Sequence, residues 1–144
     1  MEGEDIVNQC SILYIQPGLR EEPSHVSALR ALGFSVDATA DLPPAETLTA
    51  YHAVVVRVRP DCHMPTLGAR LRAKPRFGRR VLIGLVPESC TERQRREARD
   101  SGFDSALPEA CSARDLAAHI LRRLRPYPEY RCLLRAPNGR RKAA

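Results

Sequence analysis

Short apolar runs recur along the chain, separated by stretches whose apolar positions fall at helical spacing. Ser11-Ile12-Leu13-Tyr14-Ile15 predicts a short buried strand. Phe34 to Ala38 alternates apolar and polar residues, as a strand on a sheet edge does. Ala53 to Val58 and Val81 to Val86 are nearly unbroken apolar runs, the pattern of strands covered on both faces. Phe103 to Leu107 predicts a weaker fifth strand ended by Pro108.

Helices are predicted between the strands. Ser24 is the expected cap of a first helix carrying Val26, Leu29 and Leu32 on one stripe, and Gly33 its stop. Pro43 or Pro44 opens a short second helix to about Ala50. A third runs from Met64 or Pro65 to about Ala73, with Leu67 and Leu71 one turn apart and Lys74-Pro75 breaking it. A very polar fourth helix spans Glu92 to Asp100 and closes at Ser101-Gly102. Ser112 and Asp115 form a capping pair for the last helix, whose stripe is Leu116, Ile120 and Leu124.

Strands alternating with helices predict an α/β fold: a doubly wound, five-stranded parallel sheet with helices on both faces. The flavodoxin-like order 2-1-3-4-5 is the expected one at this size. The chain has 144 residues, enough for one core that needs no disulfide or metal. The division expected is an N-terminal extension over 1–10, one domain over 11–125 and a basic tail over 126–144.

Composition narrows the function classes. The five cysteines are odd in number and widely spaced, the N-terminus is acidic, and no run approaches the ~20 apolar residues of a membrane span. A cytoplasmic protein with free thiols and no membrane partner is the expectation. The net charge of +6 is uneven: −6 over residues 1–56, +8 over 57–99, −3 over 100–121 and +7 over 122–144. Such polarity steers acidic partners or nucleic acid, though solvated helix faces explain it as well. The alternative function is binding of nucleic acid or an anionic nucleotide by the basic surface of helices three and four and the C-terminal tail, with no tryptophan and no reader module to strengthen the nucleic-acid case.

In alternating strand–helix folds, ligands gather at the carboxyl ends of the strands. Gln16, Pro17, Arg57, Val86, Pro108 and Glu109 fall there. That set lacks the several oxygen ligands a divalent cation needs, so neither a metal nor a cofactor is expected. Arg57 and Arg59 share a strand face and suggest anion capture. No glycine-rich phosphate loop accompanies them, and the plainer reading pairs Arg57 with Asp61, Glu88 or Glu109. Glu21, Glu22 and Asp61 read as solvated loop acids, and Asp61-Cys62-His63 as a loop rather than a metal site. Cys62 and Cys90 fall on neighbouring loops, which makes a redox pairing conceivable and buried or half-buried thiols the commoner case.

Leu32-Gly33-Phe34-Ser35-Val36-Asp37-Ala38 resembles the passage from helix one to strand two of response-regulator receiver domains. Ser101-Gly102-Phe103-Asp104-Ser105-Ala106-Leu107 resembles the turn and fifth strand of the same domains. The resemblance runs in order over about residues 11–125. Receivers phosphorylate an aspartate at the end of strand three, with a strand-one acid pair for magnesium, a strand-four hydroxyl and a strand-five lysine. Those positions fall here on Arg57, on Gln16 and Pro17, on Val86, and on Glu109. The aromatic switch position falls on Ala106.

An arginine cannot be an acyl-phosphate nucleophile, and Glu109 repels a phosphoryl group where lysine attracts it. The resemblance therefore implies the pseudo-receiver branch: a non-catalytic, phosphorylation-independent module, monomeric or homodimeric, that works through a protein partner. The family's working surface would correspond to Arg93, Arg95, Arg96, Arg99, Asp104 and Ala106. Asp61 is the one nearby carboxylate that could stand in as phosphoacceptor, and it lacks an acidic metal partner at Gln16.

Overall fold

The computed structural model describes residues 10–17, 23–59, 64–73, 77 and 80–124. Residues 1–9 of the proposed extension 1–10, Glu21, Glu22, Asp61, Cys62, His63, the Lys74-Pro75 breaker and the tail beyond 124 lie outside the described residues. The elements are β1 (Ser11–Ile15), α1 (Ser24–Ala31), β2 (Ser35–Thr39), α2 (Ala45–Leu48), β3 (Ala53–Arg57), α3 (Met64–Arg72), β4 (Val81–Val86), α4 (Glu92–Asp100), β5 (Ser105–Pro108) and α5 (Ala113–Leu124). All strand pairs are parallel and the order is β2-β1-β3-β4-β5, as the sequence predicts.

Alternation along the central strands divides the core in two. Ile12, Tyr14, Val55, Ile83 and Leu85 face α1 and α5, where they meet Val26, Leu29, Leu116 and Ile120. Leu13, Val54, Val56, Leu82 and Val86 face the other way, onto Leu48, Leu71, Ala98 and Phe103. Every residue of β4 is buried, which is why its sequence shows no alternation. The edge strand β2 buries Val36 and exposes Ser35 and Asp37.

Two helices stop by the same device. Gly33 (φ 106°) and Gly102 (φ 132°) take backbone conformations that side chains resist. After α1, the amides of Gly33 and Phe34 return to the carbonyls of Arg30 and Leu29. After α4, those of Gly102 and Phe103 return to Arg99 and Ala98. Both are Schellman closures with a phenylalanine folded back onto the helix end.

The structure corrects two local expectations. The cap of α1 is Pro23, extended at φ −63° and ψ 149°, with no side-chain cap bond; Ser24 is the first helical residue. The Pro23 carbonyl accepts the Val26 amide at 3.0 Å, so backbone closes the turn that a serine hydroxyl was expected to close. Phe103 belongs to the closure of α4 rather than to β5, which starts at Ser105 and includes Pro108. Proline is tolerated there because β5 is an edge strand.

At the end of the sheet where β4 begins, Arg72 of α3 ties three segments together. Its guanidinium donates to the Gly102 carbonyl at 2.8 Å, the Arg80 carbonyl at 2.9 Å and Asp104 Oδ2 at 2.8 Å. It also lies over the Phe77 ring at 5.1 Å, a cation–π arrangement.

Candidate functional site at the strand ends

Parallel register brings the carboxyl ends of β1, β3, β4 and β5 to one side of the molecule. Arg57 is the last residue of β3 and stands beside Leu85 of β4; Val86 pairs with Pro108. Gln16 follows β1, anchored by its amide on the Thr39 carbonyl at 2.9 Å. Glu109 follows β5, anchored by its amide on the Val86 carbonyl at 2.8 Å. The rims of three strands thus present Gln16, Arg57 and Glu109 side by side.

Arg57 takes up both neighbours. Its Nε lies 3.5 Å from Glu109 Oε2, and its Nη1 donates to Gln16 Oε1 at 3.5 Å. Of the two described carboxylates the sequence offered as partners, Glu109 is in contact and Glu88 is exposed; Asp61 lies outside the described residues. The pair is half-exposed, 35% and 34%, and both contacts are longer than the ~2.8 Å of a tight charge-assisted bond. Val86 is fully buried and offers no polar group. Arg59 is exposed.

Below Arg57 lies a polar pair that sequence reasoning missed. Tyr14 is fully buried, and its hydroxyl meets His25 Nδ1 at 3.2 Å. His25 Nε2 meets the Cys111 carbonyl at 2.6 Å. Burial raises the Tyr14 pKa, and the positive charge of Arg57 opposes that rise. A signal was present in the sequence. His25, Leu29 and Leu32 stand at i, i+4 and i+7, which puts the histidine on the buried stripe of α1.

The expected interaction residues divide. Arg93 and Arg96 are exposed on α4. Arg95 and Arg99 converge on Glu92, at 3.0 Å and 3.3 Å. Those two hydrogen-bonded guanidiniums, Arg95 foremost, hold the Glu92 carboxyl below its usual range. Asp104 and Ala106 are used within the fold: Asp104 binds Arg72 and the Leu82 amide, and Ala106 is buried against the core. Of that set Arg93, Arg96 and Arg99 are exposed, Arg95 and Asp104 are partly buried, and Ala106 is buried. Cys10, Cys90 and Cys111 are free thiols; burial pushes Cys10 up to about 12 and also raises Cys90 and Cys111. Such thiols lack the thiolate character of redox cysteines. Among the described residues, no three His, Cys, Asp or Glu side chains form a metal-holding group.

No family model and no curated protein matches the sequence. Solved structures do. A receiver domain of a Francisella response regulator superposes with a TM-score of 0.62 at 15% identity, over 81% of this chain and 97% of that one. A two-component response regulator from Clostridium difficile gives 0.61 at 19%, over 83% and 99%. The receiver domain of a sensor histidine kinase from Pseudomonas aeruginosa gives 0.55 at 20%, over 78% and 94%.

The fold is that of a receiver domain. At these identities the likeness is one of architecture, and it covers nearly the whole of each receiver. The Pseudomonas receiver coordinates a magnesium ion in its active-site cleft. At its own strand ends, the chain described here sets an arginine against a glutamate. Among the described residues no helix is long and apolar enough to cross a membrane.

Proposed function

We propose that this receiver-like domain, residues 11–125, is a phosphorylation-independent signalling module of a two-component type of system. It acts by contact with a protein partner in the cytoplasm and catalyses nothing. Gln16, Pro17, Arg57, Val86 and Glu109 are read as the positions where a phosphorylated receiver keeps its chemistry. The observation that carries the reading is the Arg57–Glu109 ion pair. A guanidinium already engaged with a carboxylate is no phosphoacceptor, and the carboxylate beside it opposes an incoming phosphoryl group.

The contact surface is assigned to α4, through Arg93, Arg95, Arg96 and Arg99. This helix buries only Ala98, so nearly all of its surface faces outward. Its N-terminus is held by a capping box, with Gln94 N donating to Thr91 Oγ1 at 3.1 Å and Thr91 N to Gln94 Oε1 at 2.8 Å. Capping at one end and a Schellman closure at the other let the helix persist with so little apolar anchorage.

The test has two arms. Incubation of the full chain with acetyl phosphate and magnesium, followed by intact-mass measurement, is expected to show no added phosphoryl group. An acyl phosphate on any residue, Asp61 included, ends the reading. Capture of a partner from the native cell is expected to fail after reversal of Arg93, Arg95 and Arg96 to glutamate. Undiminished capture removes α4 as the contact.

A further inference from the structure

The sheet ends in two edge strands, β2 and β5, and each turns a row of backbone groups away from its one neighbour. β5 has four residues and ends in Pro108, two features that blunt an edge. β2 has five residues and no proline. Its register fixes which groups look outward. The Ser35 amide donates to the Cys10 carbonyl at 3.2 Å, and the Thr39 carbonyl accepts from the Gln16 amide at 2.9 Å. Ser35, Asp37 and Thr39 therefore turn their backbone groups toward β1, and Val36 and Ala38 turn theirs away.

One of those outward groups is already taken. The Val36 carbonyl accepts Arg30 Nε at 3.1 Å and Arg30 Nη2 at 2.7 Å. Arg30 stands in the last turn of α1, so its guanidinium hooks over the edge of β2 from the helix before it. A second copy of the same edge meets this obstacle and one more. Antiparallel pairing of β2 with β2, about a two-fold axis at Asp37, sets Val36 of one copy opposite Ala38 of the other. Each such pair exchanges N–H···O bonds, and half of them fall on the Val36 carbonyl, where Arg30 sits. The same axis sets Asp37 against Asp37 with about 4.5 Å between Cα atoms, a like-charge contact. Asp37 is exposed, and the Tyr51 hydroxyl donates to its Oδ2 at 2.7 Å, which holds the carboxylate at the strand.

We propose that Arg30 guards the β2 edge: by occupying the Val36 carbonyl, and with the charge of Asp37 beside it, it keeps β2 from pairing with the β2 of a second copy. An edge strand whose outward groups are open is a template for another chain, and a guanidinium seated on its acceptor closes the template. The guanidinium stays charged at any working pH, so acid does not release the guard. β2 and β5 lie at opposite edges of the sheet. The guard is therefore independent of the strand-end chemistry and of whether α4 binds a partner.

The experiment is sedimentation of the full chain over a concentration series, with amide hydrogen exchange read at β2. Arg30→Met keeps the side-chain stem and removes the donors. Asp37→Asn removes the charge and keeps an acceptor for Tyr51. The chain carrying both is expected to reach twice the native mass at concentrations where the native mass is constant. Once about nine-tenths of it is paired, exchange at the amides of Val36 and Ala38 should slow about tenfold, since only the unpaired tenth exchanges. Adding Ala38→Pro removes an outward N–H at a place where an edge strand tolerates proline, and it should return the chain to the native mass. The proposal is overturned if the chain with both substitutions keeps the native mass throughout the series. It is equally overturned if doubling survives Ala38→Pro, or if Val36 and Ala38 exchange as fast in the doubled species as in the native chain. Should the chain with both substitutions fail to fold, Arg30→Met alone decides by the same exchange comparison at the top of the series. A guard that fails here leaves the phosphotransfer and capture results standing, and the reverse also holds.

Discussion

One oxygen of Asp104 accepts both the Arg72 guanidinium, at 2.8 Å, and the Leu82 amide, at 2.7 Å. Asp104 returns the favour through its own amide, which donates to the Leu82 carbonyl at 2.8 Å. This residue therefore fixes where β5 starts beside β4, and it gives α3 its hold on both. Asp104→Ala takes the carboxylate from Arg72 Nη2 and the acceptor from the Leu82 N–H at once. The expected loss is about 2 kcal/mol, the range for hydrogen bonds to charged groups, discounted for half-exposure. Urea denaturation measures it; a loss under about 0.5 kcal/mol would show that water replaces the carboxylate at no cost.

Gly102 adjoins the same cluster. At φ 132° a side chain is strained, and a Cβ there would stand 2.7 Å from Arg72 Cγ and 3.0 Å from the Gly68 carbonyl oxygen. Gly102→Ala is expected to cost about 2 kcal/mol or more. Gly68→Ala crowds the Phe103 ring at 3.1 Å but gains helix propensity of about 1 kcal/mol, so its net effect should be smaller. Equal midpoints for the two variants would refute the assignment of strain to the backbone.

Acid should weaken the fold before carboxylates titrate. Burial, then Arg80, lowers the His52 pKa from 6.5, and burial, then Arg122 and Arg123, lowers that of His119. Histidines depressed in the folded state leave the unfolded chain binding more protons below pH 6.5. Stability is thus complete above that pH and falls as the pH drops through the window beneath it. His52 Nδ1 accepts the Ser11 amide at 3.0 Å, a bond that protonation at Nδ1 abolishes. Denaturation midpoints at pH 7.5 and 5.5 should separate in the native chain and separate less in His52→Gln. A midpoint that rises on acidification contradicts the sign.

The strand-end pair offers a charge-swap test. Arg57→Glu sets two carboxylates against each other and should cost about 0.5–1 kcal/mol, since the pair is half-exposed. Arg57→Glu with Glu109→Arg should recover most of it. Thermal unfolding of the single and double variants gives the coupling. Failure to recover would mean that Gln16, rather than Glu109, decides what position 57 tolerates.

The architecture was legible because its strands are apolar blocks and its helices carry spaced stripes. The run Val81 to Val86 gave β4 to the residue, and Ser101-Gly102 placed the end of α4. The capping box at Thr91 and Gln94 was present in the letters and passed over. At the site, strand ends could be located but not connected. That Arg57 meets Glu109 rather than Glu88 follows from the seating of the β5–α5 turn on β4 through the Glu109 amide, which no local pattern encodes. The Tyr14–His25 contact joins β1 to α1 through side-chain depth, and periodicity gives only each residue's face. Of the positions taken from the family surface, Ala106 is drawn into the core by its neighbours, while Asp104 stays partly exposed with its carboxylate on Arg72 and the Leu82 amide.

Because α4 is fastened at its two ends and contributes only Ala98 to the interior, its outer letters are nearly independent of folding. Such a helix is a page that can be rewritten. Paralogues could exchange its guanidiniums for other chemistry and acquire new clients, while the scaffold beneath keeps its shape and its melting point.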